Sequence, residues 1–333
     1  LTVAKIAWAT KDLIQLEFSS GTEYAANAAL KADRFALTIN GKEFTVTGVV
    51  TTDVSTKIVV NGDFSALKKG DVLVVGAKTT LSANGVVYGL TESYTAIFAG
   101  EAGDGYGTYN WCAFAGELSL AKTDWSSAGV IQIVFNTIKE ADQTVFDASG
   151  ITAYANGSAM SFTEIRWHQS VNKLALSFGQ PGADATYGVP VITIKGGSVI
   201  TAVGRAYVFD KDYMFAYSSV HDRWSLVSSP ETVSVSWSEN SSSLQLKFDR
   251  DLWDGEMTVD ASRMNVLSNG VKVDVTALKD SPAHIRVQGA FSTQTAVPTL
   301  VIKAGSLAML HNTSVLFAED VTFVWNGTAW TMA

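Results

Sequence analysis

The chain has 333 residues, 47% of them hydrophobic, and a formal net charge of −8. That length suggests two or three domains, each able to bury its own core. The acidic balance argues against nucleic acid or an anionic membrane as the main partner, and no window approaches the roughly 20 apolar residues of a membrane span.

The chain starts at Leu1, with no basic-then-apolar leader. It is expected to be a piece of a longer chain, and monomeric. Period-2 alternation and β-branched runs dominate from there. In the first third, Thr2–Trp8, Leu13–Phe18, Phe35–Ile39, Glu43–Val49, Lys57–Val60, Asp71–Val75, Val86–Leu90, Tyr94–Phe98 and Tyr109–Phe114 read as strands. Ala25–Ala32 is the only helix-like stretch. Asn40-Gly41 supplies the positive φ values of a tight hairpin turn.

The same scheme then returns twice. An apolar-Gln-apolar core recurs about every 115 residues, as Ile14-Gln15-Leu16, Ile131-Gln132-Ile133 and Leu244-Gln245-Leu246. A Trp precedes each copy (Trp8, Trp125, Trp237), and an Asn-Gly pair follows each (40–41, 156–157, 269–270). Trp111, Trp224 and Trp330 close the three copies. Self-similarity at a fixed period means one structural unit repeated. Boundaries are expected near 114 and 227, giving domains 1–114, 115–227 and 228–333. The joins would be Ala115-Gly116-Glu117 and Ser228-Ser229-Pro230-Glu231. Seven to nine short strands per ~110 residues, with turn signals between them, predict an all-β chain of three tandem antiparallel β-sandwiches. A parallel sheet would need crossover helices, for which there is no sequence pattern.

Lys195-Gly196-Gly197 and Lys303-Ala304-Gly305 are each followed by a strand that ends in Asp-Lys-Asp-Tyr (210–213) or Ala-Glu-Asp-Val (318–321), and then by the closing Trp. In these segments the chain resembles the Ig-like repeats of large secreted or wall-attached surface proteins of Gram-positive bacteria. The resemblance implies an extracellular, cell-surface location and either a stalk or a binding module. Some gut bacterial repeats of this kind bind immunoglobulin variable domains, which the resemblance offers as one possibility.

No signature of a reaction is present. The histidines (168, 221, 284, 311) share no metal-ligand spacing, and there is no nucleophile elbow, phosphate loop or dinucleotide fingerprint. No catalytic residue, metal or cofactor is expected. Asp249, Asp251, Asp254 and Glu256 surround Gly255 in an arrangement that could suit Ca²⁺, but the spacing is not that of an EF-hand and Arg250 intervenes. This stretch reads as a solvated loop. Asp210, Asp212, Glu319 and Asp320 read as solubilising charges. Cys112, the single cysteine, excludes an intrachain disulfide and reads as a small buried hydrophobe.

The six tryptophans that recur in every copy read as packing positions, and Trp325, aligned with Phe98 and Tyr217, reads the same way. Two others do not recur: Trp167 aligns with Thr51 and Asp280, and Trp253 with Glu23 and Glu140. Polar counterparts suggest that these positions face water, where a flat aromatic ring can serve binding. The Gly100–Tyr109 loop adds Tyr106 and Tyr109 among flexible glycines, a combination typical of binding loops. Tyr106, Tyr109, Trp167 and Trp253 are therefore the candidate ligand contacts. The expected partner is a host or environmental protein or glycan. A purely structural spacer and a carbohydrate-binding module are the alternatives.

Overall fold

The computed structural model describes residues 1–19, 31–52, 56–83, 86–135, 147–168, 173–202, 204–252 and 258–333. Among them there are strands and no helix. The first third carries β1 (Val3–Thr10), β2 (Leu13–Phe18), β3 (Lys31–Arg34), β4 (Leu37–Ile39), β5 (Lys42–Glu43), β6 (Gly48–Thr51), β7 (Lys57–Asn61), β8 (Val72–Val75), β9 (Thr80–Ala83), β10 (Val86–Gly89), β11 (Tyr94–Glu101) and β12 (Tyr109–Leu118). Next come β13 (Leu120–Ser127), β14 (Val130–Phe135), β15 (Asp147–Gly150), β16 (Ala153–Ala155), β17 (Ser158–Met160), β18 (Glu164–His168), β19 (Lys173–Ser177), β20 (Val191–Ile194), β21 (Val199–Ala202), β22 (Arg205–Phe209), β23 (Tyr213–Ser218) and β24 (Arg223–Ser228). The last third carries β25 (Thr232–Asn240), β26 (Ser243–Phe248), β27 (Thr258–Arg263), β28 (Val266–Ser268), β29 (Val271–Val273), β30 (Val275–Ser281), β31 (His284–Gly289), β32 (Thr299–Ile302), β33 (Leu307–Met309), β34 (Thr313–Leu316), β35 (Val321–Trp325) and β36 (Trp330–Met332).

Each set of twelve strands pairs in the same order. Four strands form one sheet: β1-β2-β7-β6, β13-β14-β19-β18 and β25-β26-β31-β30. Five form a second: β5-β4-β8-β11-β12, β17-β16-β20-β23-β24 and β29-β28-β32-β35-β36. Three more pair as β3-β9-β10, β15-β21-β22 and β27-β33-β34; the first is a sheet by itself, the second continues into β12, and the third continues into β24 on one side and, through the β27–β30 pair, into the four-stranded set of the last copy on the other. The repetition seen in the sequence is thus a repetition of strand pairing.

The chain folds as two compact units. One comprises Leu1–Glu117, Asp142–Ile151 and Gly197–Phe209; the other comprises Leu118–Ala141, Thr152–Gly196 and Asp210–Ala333. In the first, Ile14, Leu16, Ile58 and Val60 of the four-stranded sheet share a core with Leu37, Leu73, Val75 and Phe98 of the second sheet. In the other unit, Leu244, Leu246, Ile285 and Val287 meet Val266, Leu300, Ile302 and Phe323 in the same way. Alternation along β2 and β14 buries every second residue. It leaves Gln15 and Gln132 on the outer face, which explains the apolar-Gln-apolar motif.

The Asn-Gly turns form as their sequence requires. Asn40, Asn156 and Asn269 have φ near +50°, and the glycines after them have φ of 74°, 78° and 81°. Each Asn side chain also holds neighbouring backbone. Asn269 Oδ1 accepts from Thr299 N–H at 2.8 Å, and its Nδ2 donates to Ser292 O at 2.8 Å.

Several expectations change. The expected join Ala115–Glu117 is part of β12, and residue 227 lies within β24. Sheets run past both positions: β12 joins β22 inside the first unit, and β24 joins β34 inside the second. The β24–β34 pair is parallel, a pairing of strands distant in sequence that local pattern does not encode. Of the helix-like stretch, residues 25–30 lie outside the described residues, while Lys31 and Ala32 belong to β3. The connection before Trp330 is Asn326–Ala329, with Asn326 Oδ1 accepting from Thr328 and Ala329 N–H.

Candidate functional site

The four-stranded sheets bury one face and leave the other open. A row of side chains crosses that open face in each copy, starting from the leading Trp. In the first copy Trp8 pairs with Gln15, Gln15 with Val59, and Val59 with Val50. In the third, Trp237 pairs with Gln245, Gln245 with Arg286, and Arg286 with Leu278. In the second, Gln132 pairs with Ala175 and Ala175 with Arg166, while Trp125 lies in the register shift of β13 between Thr123 and Ser126.

These leading tryptophans are not core residues. Trp8 is 47% exposed and Trp125 49% exposed, and Trp237 is half-buried. The cause is a β-bulge. Register shifts fall at Ile6/Trp8, Thr123/Ser126 and Val235/Trp237. The extra residue turns the Trp outward and the next, small residue inward. Ala9 and Ser126 are buried. Ser126 Oγ accepts from Trp224 N–H at 2.9 Å, and Ser238 Oγ accepts from Trp330 N–H at 3.2 Å. The closing Trp224 and Trp330 are buried as expected. Strict alternation could not reveal this, but the Trp-small dipeptides (Trp8-Ala9, Trp125-Ser126, Trp237-Ser238) are the signal that could have.

The surroundings of the row are polar. Beside Trp8, Glu17 lies between Lys5 and Lys57 at 3.6 and 3.5 Å. In the second copy Lys173 pairs with Asp124, the residue before Trp125, and at the opposite edge of the sheet Arg166 pairs with Glu164 at 2.6 Å. In the third copy the Arg286 guanidinium sits 5.0 Å over the Trp237 ring. Asp280 accepts from Arg286 Nε at 2.8 Å and from Gln245 Nε2 at 2.7 Å. A cation already occupies that ring face, so Trp8 and Trp125 are the more open rings.

The residues expected to bind are placed as follows. Tyr106 is 86% exposed at the tip of the 100–109 loop. Asp104 Oδ1 accepts its N–H at 3.0 Å, and Gly105 and Gly107 take positive φ on either side. Hydrogen bonds from Thr108 and Tyr106 hold the Asp104 carboxyl below the usual carboxylate range. Tyr109 is 9% exposed and packs 4.9 Å from Phe98, so its ring belongs to the core. The Trp167 backbone pairs with Leu174, a core residue. Its register equivalents are Thr51 opposite Ile58 and Lys279 opposite Ile285. A register shift between Lys279 and Ser281 displaces Asp280 by one residue from that position. Trp253 lies outside the described residues, as do Asp254 and Glu256.

Other polar features are local. Lys195 pairs with Asp212, and Asp212 Oδ1 accepts from Gly196 N–H at 2.8 Å. Lys303 and Ala304 N–H hold Asp320 in the same way, the latter at 2.8 Å. These two carboxylates therefore clamp a turn and are not merely solubilising. Asp249 is paired with Arg250. His284 Nδ1 meets Ser281 Oγ within one hairpin, and His221 packs edge-on to His311 at 4.8 Å. Among the described residues no group of three or more His, Cys, Asp or Glu is placed to hold a metal ion. Among the described residues no helix is long and apolar enough to cross a membrane.

No family model matches the chain, and no curated protein matches it. Among solved structures, a mixed-linkage glucan locus protein of Bacteroides ovatus, SGBP-B, in complex with a mixed-linkage heptasaccharide, is similar at 12% identity and TM-score 0.21, over 93% of this chain and 70% of that one. The pullulanase SAP of Group B Streptococcus matches at 10% identity and TM-score 0.18, over 65% of this chain and 23% of its own. Titin domains I67–I69 match at 8% identity and TM-score 0.16, over 94% and 99%. At such TM-scores the likeness carries no weight for fold or for function.

Proposed function

We propose that the chain is a non-catalytic, extracellular binding segment of a surface protein, built of three Ig-like copies, whose ligand is a glycan polymer. The carrying observation is the Trp–Gln row on the open sheet face, paired in the first and third copies and led by half-exposed rings, Trp8 and Trp125, in the first two. A half-exposed indole gives up part of the ~1.5–3 kcal/mol that burying a large apolar side chain provides, and its flat face matches the C–H face of a pyranose. The neighbouring Gln amide can both donate to and accept from sugar hydroxyls. One such row per copy suits a ligand that itself repeats, because linked weak sites gain avidity.

The test is a glycan array followed by calorimetry on the polysaccharides retained. Trp8→Ala together with Trp125→Ala should weaken binding at least tenfold, about 1.4 kcal/mol, with an unchanged circular dichroism spectrum. Retention by the double variant at full strength refutes the reading. Retention of no glycan at all favours a spacer. A second reading rests on Tyr106: an almost fully exposed Tyr on a Gly-rich loop suits a protein partner, a host immunoglobulin among them. A serum pull-down that depends on Tyr106 would favour it.

A further inference from the structure

The β24–β34 pair is parallel, with Leu226 opposite Thr313, so the turns that lead into the two strands lie at the same end. Those turns are residues 219–222 and 310–312, and both belong to the second compact unit. Each carries one histidine, and the two rings meet. The centroids of His221 and His311 are 4.8 Å apart, with the ring planes at 77°. The corresponding pair, β12 with β22, is preceded in the chain by residues 102–108 and 203–204, which contain no histidine. The repeated fold therefore does not itself require imidazoles at this place.

Both turns are held in place by hydrogen bonds. His221 N–H donates to Ser218 Oγ at 3.2 Å, and Ser218 Oγ donates to Asp260 of β27 at 2.6 Å. Asp222 follows with φ of 53° and accepts from the Tyr217 hydroxyl. In the other turn Leu310 N–H donates to Thr313 O at 3.0 Å, and Asn312 O accepts from Leu226 N–H at 3.0 Å. Within this frame His221 Nε2 is buried and makes no hydrogen bond among the described residues. A buried polar atom left so calls for an explanation, and an ion is one. Two imidazoles that bind one ion at ~2.0–2.1 Å, with roughly 90–110° between the bonds, have centroids about 4.5–5.5 Å apart. The observed separation falls in that range. We propose that His221 and His311 together hold a divalent transition-metal ion of the kind that imidazole suits, such as Zn²⁺. The ion clips a turn of the second copy to a turn of the third, and water completes its coordination. The second nitrogen of each ring remains for a protein or water partner, as is usual for a ligating histidine. This departs from the expectation of no metal, which rested on ligand spacing along the chain. The two histidines are far apart in sequence, and the parallel pairing of β24 with β34 brings them together.

The test is a calorimetric titration of the full chain with Zn²⁺ after treatment with a chelator. One ion per chain should bind, and His221→Ala and His311→Ala should each weaken binding at least about tenfold. His284 serves as the control. Its Nδ1 meets Ser281 Oγ within its own hairpin, so His284→Ala should leave zinc affinity unchanged. Zinc should also raise the melting transition of the wild-type chain and not of the two variants, because an ion that binds only the folded chain stabilises it. Ca²⁺, which takes oxygen ligands, should do neither. Cooperative melting without metal checks that the variants fold. Nuclear magnetic resonance of the imidazole nitrogens gives a readout that needs no variant: zinc should shift His221 and His311 and leave His168 and His284 in place. A wild-type chain that binds no zinc below about 1 mM overturns the proposal, with water then the partner of His221 Nε2. So does full affinity in either variant, or a zinc shift confined to other residues.

Discussion

The two kinds of tryptophan should respond oppositely to truncation, and both can be tested within the second compact unit. Trp224 is fully buried, 5.5 Å from Phe178 and 5.4 Å from Tyr217, and its indole N–H donates to Ala128 O at 3.2 Å. A Trp buries ~150–250 Å², worth ~4–6 kcal/mol at ~25 cal/mol per Å². Core Trp-to-Ala losses of ~3–5 kcal/mol agree with that range. For a unit of about 190 residues, each kcal/mol moves Tm by ~2–4 °C. Trp224→Ala should therefore lower the transition by roughly 10 °C. Trp125→Ala removes a ring that is 49% exposed, and it should cost less than ~1.5 kcal/mol, a shift below ~5 °C. Scanning calorimetry on the full chain reads both. Equal shifts for the two variants, or a larger shift for Trp125→Ala, would refute the assignment of the leading tryptophans to the sheet surface.

Asn269→Ala should cost ~2–3 kcal/mol by denaturant titration, because Ala at φ near +50° is strained and three hydrogen bonds of the Asn side chain are lost. Asp260 of β27 is buried and accepts from Ser218 Oγ of β23 at 2.6 Å and from Ser262 N–H at 3.0 Å. Asp260→Ala removes the acceptor of the Ser218 hydroxyl, whose oxygen still accepts from His221 N–H, and should cost ~1–3 kcal/mol by the same titration. The carboxyl of Asp320 is held below its ordinary value of 3.8 by hydrogen bonds from Ala304 N–H and Lys303. A lowered folded-state pKa means that its contribution is present above 3.8 and is lost as pH falls through that value and below. Asp320→Asn should flatten the acid limb of the Tm–pH curve, and an unchanged limb would show the clamp to be idle. Burial, together with the hydrogen bond to Asp222, pushes Tyr217 up to about 12; Tyr217→Phe should remove one late-ionising phenol from the ultraviolet titration at high pH.

Much of the fold was legible in the chain because each repeat solves the same local problem. Ile14-Gln15-Leu16 and its two later copies alternate with the period of a strand, and three Asn-Gly pairs sit where only left-handed backbone closes the hairpin. These are short-range demands, and a single sequence states them three times. The direction of Trp8 was not legible. A bulge adds one residue and reverses the faces, and nothing local separates a bulged strand from a regular one except the small residue that follows. The Asp280 slip hid the register of Trp167 for the same reason. The pairings of β12 with β22 and of β24 with β34 were still less visible. Whether β12 meets β22 depends on which edges lie free after each sheet has formed, a property of backbone groups that every residue shares. Periodicity in sequence therefore determined the repeat, the strands and the turns. Tertiary structure alone decided which aromatic rings face water and which strand edges find a partner, because both follow from pairing between segments far apart in the chain.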